Sequence, residues 1–190
     1  MNHSNTLVLG IGNTLLCDEG AGIHALNRLE SEYPDVPGLV YVDGGTLSFT
    51  LAGYIEDCDH LIVFDAAELD APPGSVKTLV GDAMDRFLGA ARRSPHEVGL
   101  LDLFDIARLT DALPGRRALI GIQPQNMDWN TRPSAAVEGA LPEAVAAACD
   151  LLRRWRVLAP PTLVETVDRR HDANSPMVRG AAGECTGSMP

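Results

Sequence analysis

Three side chains from separate parts of the sequence could together bind a divalent metal ion: Glu19, Asp65 and His96. One imidazole and two carboxylates make a mixed nitrogen and oxygen donor set. Such a set suits a borderline first-row ion such as nickel or zinc, and it leaves coordination positions open for water or substrate. The chemistry that this indicates is metal-assisted hydrolysis, on condition that the fold brings the three side chains together.

Glu19 lies in the segment GIGNTLLCDEGAG, residues 10–22, between the first predicted strand and the first predicted helix. A carboxylate at the positive end of a helix is held ionised and available to a metal. Its neighbour Asp18 is better explained as a helix cap. The segment could instead bind a dinucleotide, but the third glycine of that fingerprint is replaced by Leu15, and the two acidic side chains would repel phosphate.

Asp65 ends the apolar run LIVF, residues 61–64, and therefore lies where open α/β sheets bind ligands, beyond the carboxyl ends of their strands. Taken alone, a carboxylate in this position is slightly more often a cap of a turn or helix. The functional interpretation of Asp65 depends on its convergence with Glu19.

His96 is predicted to lie in the first turn of a helix. The helix start is marked by Ser94 as N-cap, Pro95 as the first helical residue and Glu97 three positions after the cap. The positive end of a helix disfavours the imidazolium and so favours the neutral imidazole, which binds metals. A lone histidine in such a turn is more often a surface residue, so its role as a ligand rests on its two companions.

The elements that would position these residues are predicted from short strand patterns, which alternate along the sequence with longer helical patterns. The alternation predicts an α/β fold, with a single domain whose mostly parallel, mixed five-stranded sheet lies between helices on both faces. The predicted strands are residues 6–10, 39–42, 61–64, 76–80 and 118–122. The predicted helices are residues 20–32, 48–58, 95–110 and 137–156.

Composition limits the classes of partner. The 190 residues, 45% of them hydrophobic, suffice for one well-buried domain. The 26 acidic against 15 basic residues give a formal charge of -11, which argues against a nucleic acid or an anionic membrane surface as partner. A protein or a small molecule is the expected partner.

Four cysteines at positions 17, 58, 149 and 185 form no CxxC pair, so they are predicted to be reduced thiols rather than zinc ligands or a redox pair. The sequence has no secretory leader pattern and no apolar run long enough to span a membrane. We therefore expect a cytoplasmic protein. Residues 1–157 are expected to form the domain and residues 158–190, rich in proline, glycine and polar residues, a flexible tail.

The sequence also resembles the nickel-iron hydrogenase maturation proteases. The resemblance rests on five motifs in the family's order, which span most of the chain from residue 6 to about residue 157. They are GIGNTLLCDEGAG at 10–22, DGGT at 43–46, FDA at 64–66, SPHEVGL at 94–100 and GIQP at 121–124. The first motif is highly specific to the family, whereas the segment 125–132 lies where the family varies.

The resemblance implies that Glu19, Asp65 and His96 stand where the family's metal-binding Glu, Asp and His stand. It also implies an endopeptidase that removes a short C-terminal extension from the precursor of a hydrogenase large subunit after nickel insertion. The nickel would then be supplied largely by the precursor, and the three residues would read its presence as well as assist catalysis. Other divalent ions could substitute for it.

The mechanism is predicted to use water as the nucleophile. No serine or cysteine has the setting of an activated nucleophile, because Cys17 has no histidine nearby in sequence and no GxSxG motif occurs. The metal would polarise the water or the scissile carbonyl, with Glu19 or Asp65 as ligand and proton acceptor.

Several alternatives stay open at the level of sequence. The DGGT loop either admits an extended peptide at its glycines or forms an ordinary turn with Thr46 as cap. For the whole chain, the alternatives are a nucleotide-binding α/β protein and a non-catalytic chaperone that binds the precursor without shortening it.

Overall fold

The fold is built on one mixed sheet. The computed structural model describes residues 5–46, 49–90 and 95–159, except for the side chains of residues 95–98. Its strands are β1 (Thr6–Gly10), β2 (Leu39–Asp43), β3 (His60–Ala66), β4 (Val76–Val80) and β5 (Arg116–Ile122). They lie in the order β2-β1-β3-β5-β4, and only β4 is antiparallel to its neighbour. The predicted mixed, mostly parallel sheet of five strands is confirmed.

The helices follow the strands as the alternating pattern predicted, with one addition. They are α1 (Ala21–Glu32), α2 (Ala52–Glu56), α3 (Asp82–Ala90), α4 (Pro95–Leu109) and α5 (Ala135–Arg154). Helix α3 was not predicted from the sequence. It buries only Met84 and Leu88, one turn apart, and two apolar positions are too few to produce a recognisable helical period.

The sheet separates two hydrophobic clusters, because successive side chains of a strand point to opposite faces. Val8 of β1 and Ile62 of β3 pack against α1 and α5 on one face. Leu9 of β1 and Val63 of β3 pack against α2, α3 and α4 on the other. The central strands are buried on both faces, which is why they read as continuous apolar runs. No helix in the described part of the chain is long and apolar enough to cross a membrane.

Helix α1 lies very close to the carboxyl ends of the central strands. A Cβ atom at Gly22 would stand 2.3 Å from the carbonyl oxygens of both Ile11 and Phe64. At Gly10 it would stand 2.8 Å from the Cβ atom of Leu26. Glycine is therefore required at both positions, and the start of α1 is held against β1 and β3.

The end of the described chain packs near the amino ends of the central strands, at the edge of the sheet away from the start of α1. His60 is buried, with Nδ1 of its ring 3.1 Å from the hydroxyl of Thr6, and its ring centroid lies 5.4 Å from that of Trp155. Val157 and Leu158 continue this packing against the cluster beneath α1 and α5. The predicted tail, residues 158–190, falls outside the described residues from 160 onward and stays a prediction.

The packing of Leu158 sets the length at which a shortened chain should remain stable. A chain ending at Ala159 is expected to melt within about 2 °C of the full-length protein, since the removed residues lack a periodic apolar face. A chain ending at Arg154 also loses Trp155 and should melt more than about 4 °C lower. Thermal unfolding by circular dichroism compares the three, and equal losses in both shortened chains would contradict this boundary.

A partly buried ion pair joins β5 to α3. The guanidinium of Arg117 donates two hydrogen bonds to the carboxylate of Asp85, one of them 2.8 Å long, and the two side chains are 12% and 23% exposed. The hydrogen bond from Arg117 lowers the pKa of Asp85, although burial opposes that shift.

The pair should make stability depend on pH in a defined direction. Because the folded-state pKa of Asp85 is lowered, its stabilisation is present above the unfolded value, about 4, and is lost as pH falls through the folded value. At pH 7 the substitution Asp85→Asn should cost about 1–3 kcal/mol of unfolding free energy. Urea unfolding of both proteins, from pH 7 down to the lowest pH at which the wild type folds, should show this difference shrinking below about pH 4. A difference that stays constant would rule out the ion pair as its source.

Candidate active site

The carboxyl edge of the sheet gathers the loops that carry most of the sequence motifs. Strand β1 ends at Gly10, paired with Phe64 of β3 on one side and with Asp43 of β2 on the other. The segment that follows Gly10, residues 11–20, lies against this edge and leads into α1.

Asp65 is the penultimate residue of β3 and is 2% exposed. Its backbone pairs with Gly121 of β5. By the alternation along the strand, its side chain is on the same face as Leu61 and Val63, which pack with α2, α3 and α4. Its Oδ1 atom is shielded from solvent. Asp65 is thus a buried carboxylate directed to the face on which α4 lies.

Glu19 lies in a short 3-10 turn, Cys17–Gly20, directly before α1. This turn contacts β3, the strand that carries Asp65. Glu19 is half-buried, and its Oε2 atom is shielded from solvent. The structure therefore brings the segments of two of the three predicted ligands together at one edge of the sheet.

The glycines of the first motif serve the packing of this turn. A Cβ atom at Gly12, whose φ is +139°, would lie 1.9 Å from the carbonyl oxygen of Glu19. At Gly20 it would lie 2.8 Å from the Cα atom of Thr14. The space that a dinucleotide fingerprint would leave for a pyrophosphate is here filled by the chain itself. This geometry argues against the nucleotide-binding alternative.

The DGGT loop is hydrogen-bonded to the same segment. The N–H of Gly44 donates to the carbonyl of Gly10, and the N–H of Gly12 donates to the carbonyl of Gly45, both at 2.8 Å. Asp43 accepts from the N–H of Gly45 at 2.8 Å in a tight turn. Of the two interpretations left open by the sequence, these bonds support the turn. Thr46, the residue predicted as a cap, is followed by residues 47 and 48, which lie outside the part of the chain that the structure describes.

Asp18 is fully buried and forms a dense set of hydrogen bonds. Its Oδ2 atom accepts from the N–H groups of Gln125 and Asn126 at 2.8 and 2.9 Å, and from the hydroxyl of Ser134 at 2.8 Å. Its Oδ1 atom accepts from the N–H of Ser134 at 2.6 Å. Burial raises the pKa of Asp18, but the hydrogen bonds outweigh it, so the pKa lies below its usual value.

The interpretation of Asp18 as a cap of the following helix is wrong. Helix α1 has Gly20 at its N-cap and no side-chain cap. Asp18 instead holds Ser134, which itself caps α5 by accepting from the N–H of Val137 at 3.3 Å. The sequence carried no signal of this contact, because the partners of Asp18 are more than a hundred positions away.

Gln123, in the GIQP motif, is a second anchor that sequence reasoning missed. It is 5% exposed, and its Oε1 atom accepts from the N–H of Leu69 at 2.7 Å. Its backbone exchanges hydrogen bonds with Gly74 and Ser75. Gln123 thereby fixes the loop that follows Asp65.

Helix α4 begins at Pro95, as predicted, which places the backbone of His96 in its first turn. The side chain of His96 lies outside the described part of the chain, as does Ser94. One turn further on, Leu100 is buried in the cluster against the sheet. Among the side chains that are described, no group of three potential metal ligands occurs. The set of Glu19, Asp65 and His96 therefore stays a prediction.

Cys17 does not have the properties of a nucleophile. It is 4% exposed, and its thiol lies 3.7 Å from Oδ1 of Asp18, to which it donates. Burial, followed by the negative charge of Asp18, raises the pKa of Cys17. A thiol of this kind stays protonated at neutral pH and is poorly reactive.

The rim of the site exposes an apolar surface. Leu15, Met127 and Trp129 are 51%, 47% and 80% exposed. They lie on two loops that are joined through Asn130, whose carbonyl accepts from the N–H of Cys17 at 2.7 Å and whose N–H donates to the carbonyl of Leu15 at 3.1 Å. Aromatic and methionine side chains on a fixed backbone are typical of protein interfaces.

The chain is similar to known proteins over most of its length. Residues 23–151 match the hydrogenase maturation protease family. The matched span includes Asp65 and His96 and begins just after Glu19. The hydrogenase expression/formation protein HoxM of Cupriavidus necator is 34% identical over 160 residues, covering 84% of this chain and 79% of HoxM. The hydrogenase 2 maturation protease of Escherichia coli is 32% identical over 156 residues, covering 82% and 94%.

Solved structures give the same result for the fold. The hydrogenase maturating endopeptidase HybD from Escherichia coli superposes with a TM-score of 0.75 at 30% sequence identity, covering 80% of this chain and 93% of HybD.

The chemistry of Cys17 has a direct test. In the folded protein at pH 8, alkylation of Cys17 by iodoacetamide should be at least about 100-fold slower than in the unfolded chain, because burial and Asp18 disfavour the thiolate. Peptide mapping by mass spectrometry follows Cys17 by itself, with the protein in guanidinium chloride as the control. Rapid alkylation of Cys17 in the folded protein would show an accessible thiolate and reopen a cysteine mechanism.

Proposed function

This chain belongs to the hydrogenase maturation protease family, and we propose that it removes a C-terminal extension from the nickel-loaded precursor of a nickel-iron hydrogenase large subunit. The observation that carries the proposal is the placement of two shielded carboxylates, Glu19 and Asp65, at the carboxyl edge of the sheet, beside the face covered by α4.

His96 completes the proposed set. Asp65 is directed to the face on which α4 packs, and α4 starts with the turn that contains His96. An imidazole added to two carboxylates makes a donor set that fits nickel. The nickel arrives with the precursor, so the three side chains distinguish a nickel-loaded precursor from an unloaded one, and they also assist cleavage.

Cleavage proceeds by attack of water on the scissile carbonyl. When the nickel of the precursor is in place, it supplies Lewis-acid polarisation at the reacting group. Glu19 or Asp65 accepts the proton that the attacking water loses and returns it to the leaving amine. Their burial strengthens these electrostatic interactions, because little bulk water screens them. Cys17 takes no part, since its thiol stays protonated.

The surroundings of the site support a protein as substrate. The apolar rim of Leu15, Met127 and Trp129 offers a surface for a folded partner or an extended segment, which a small nucleotide would not need. The net charge of -11 gives no support to a nucleic acid. We place the reaction in the cytoplasm, in keeping with the described cysteines, Cys17, Cys58 and Cys149, which are buried free thiols.

The role of His96 can be tested by its removal. The substitution His96→Ala should abolish nickel-dependent shortening of the precursor, because the loss of one of three ligands leaves two carboxylates with less positive charge between them. The free energy of unfolding should change by less than about 1 kcal/mol, since the sequence predicts Ser94 and not His96 as the cap of α4. Mass spectrometry of the precursor, with and without nickel, measures shortening, and circular dichroism confirms folding.

His24→Ala serves as the matched control, because His24 lies in α1 outside the proposed set. A high nickel concentration should restore part of the activity of His96→Ala, whereas a lower pH should not. If folded His96→Ala shortens the precursor at the wild-type rate, the assignment of the site is wrong. If the wild type binds the precursor stably and never shortens it, the chain acts as a chaperone.

A further inference from the structure

Asp18 joins the turn that carries Glu19 to the segment that leads into α5. Its carboxylate is 0% exposed and accepts four hydrogen bonds from nitrogen and hydroxyl donors, all supplied by Gln125, Asn126 and Ser134. In return, the N–H of Asp18 donates to the carbonyl of Asn126 at 3.0 Å. The two segments are thus connected in both directions through one residue.

The contact requires a carboxylate and not merely a polar side chain. Both oxygens of Asp18 face donors: Oδ2 meets two backbone N–H groups, and Oδ1 meets the N–H of Ser134. An asparagine in this place would turn its NH₂ group toward one of these sets of N–H groups. Beside Oδ2 the hydroxyl of Ser134 could accept from that NH₂ group, but the N–H groups on either side could not. Backbone N–H groups cannot be removed by changes of side chain, so the demand for negative charge is built into the fold.

The backbone of Glu19 is held on both sides. On its amino side is the buried Asp18, and on its carboxyl side Gly20 lies so close to Thr14 that a Cβ atom there would be 2.8 Å from the Cα atom of that residue. The carbonyl of Glu19 itself lies against Gly12. The backbone of the turn therefore fixes the point from which the side chain of Glu19 starts, and the direction of its carboxylate depends on the turn.

We propose that Asp18 is a positioning residue for the reaction: by binding the 125–134 segment, it sets the turn that aims Glu19 at the metal and the scissile bond. This inference rests on the proposed function. A residue that only stabilises the fold would not affect turnover or metal binding in the folded protein, whereas Asp18 affects both through Glu19.

The test compares Asp18→Asn with the wild type at temperatures at which both are folded. The expected result is a fall in kcat for precursor shortening of at least about tenfold, with KM within about threefold. The direction of Glu19 is changed, whereas the backbone hydrogen bonds of Asn130 to Leu15 and Cys17, which do not involve the side chain of Asp18, still hold the rim. Independently of activity, the affinity of the isolated protein for Ni²⁺, measured by titration calorimetry, should fall by at least about tenfold.

Asp85→Asn is the matched control. Asp85 is a partly buried carboxylate that accepts two hydrogen bonds from Arg117. Arg117 lies four residues before Gly121, the pairing partner of Asp65. This variant should lose thermal stability yet keep wild-type kcat and Ni²⁺ affinity below its melting temperature. Asp18→Glu restores the charge and should recover part of both.

Ser134→Ala keeps the test decisive if Asp18→Asn does not fold. It removes only the hydroxyl donor to Asp18, together with the cap of α5, and should lower kcat and Ni²⁺ affinity by a smaller factor in the same direction.

Three results would overturn the inference. The first is wild-type kcat and Ni²⁺ affinity in folded Asp18→Asn, or in Ser134→Ala if Asp18→Asn does not fold. The second is a change in KM alone, and the third is a loss of kcat and Ni²⁺ affinity in Asp85→Asn as large as in Asp18→Asn. A wild type that does not shorten any precursor would instead refute the proposed function, and the Ni²⁺ arm would still decide the role of Asp18.

Discussion

The close approach of helix α1 to the ends of β1 and β3 is the constraint on which the site depends. Gly22 lies where any Cβ atom would stand 2.3 Å from two carbonyl oxygens, so the helix can begin there only because the residue is glycine. The turn before α1 carries Glu19, and the residue after Phe64 in β3 is Asp65. Contact between helix start and strand end therefore brings two carboxylates from distant parts of the sequence to one edge of the sheet.

Buried carboxylates are costly unless hydrogen bonds or opposite charges replace the lost water. Asp18 meets this requirement with backbone N–H groups, which are fixed in place and cannot rearrange with the solvent. The consequence is a stiff frame, in which the glycine-rich segment is hydrogen-bonded both to the DGGT turn and to the loop before α5. The apolar side chains of Leu15, Met127 and Trp129 project from that frame, so a partner that contacts them meets a preorganised surface.

Much of the fold could be predicted from the sequence because its signals are local. The apolar runs of β1, β3 and β5 and the proline at the start of α4 each depend on neighbours within a few residues. Helix α3 escaped prediction because it covers the sheet with only Met84 and Leu88. The ion pair of Arg117 with Asp85, which fastens α3, involves residues 32 positions apart and has no local pattern either.

The sequence by itself determined the α/β architecture, the candidates Glu19, Asp65 and His96, and a family resemblance that the comparisons confirm. Only the tertiary structure decided how the turn of Glu19 is held: Asp18, expected to cap the next helix, binds Ser134, 116 positions away. A hydrogen bond of that span requires a sheet that places β1 and β5 with their carboxyl ends at one edge. Spacing along the chain reports the period of a helix or a strand, but it does not report which loops meet once those elements have packed.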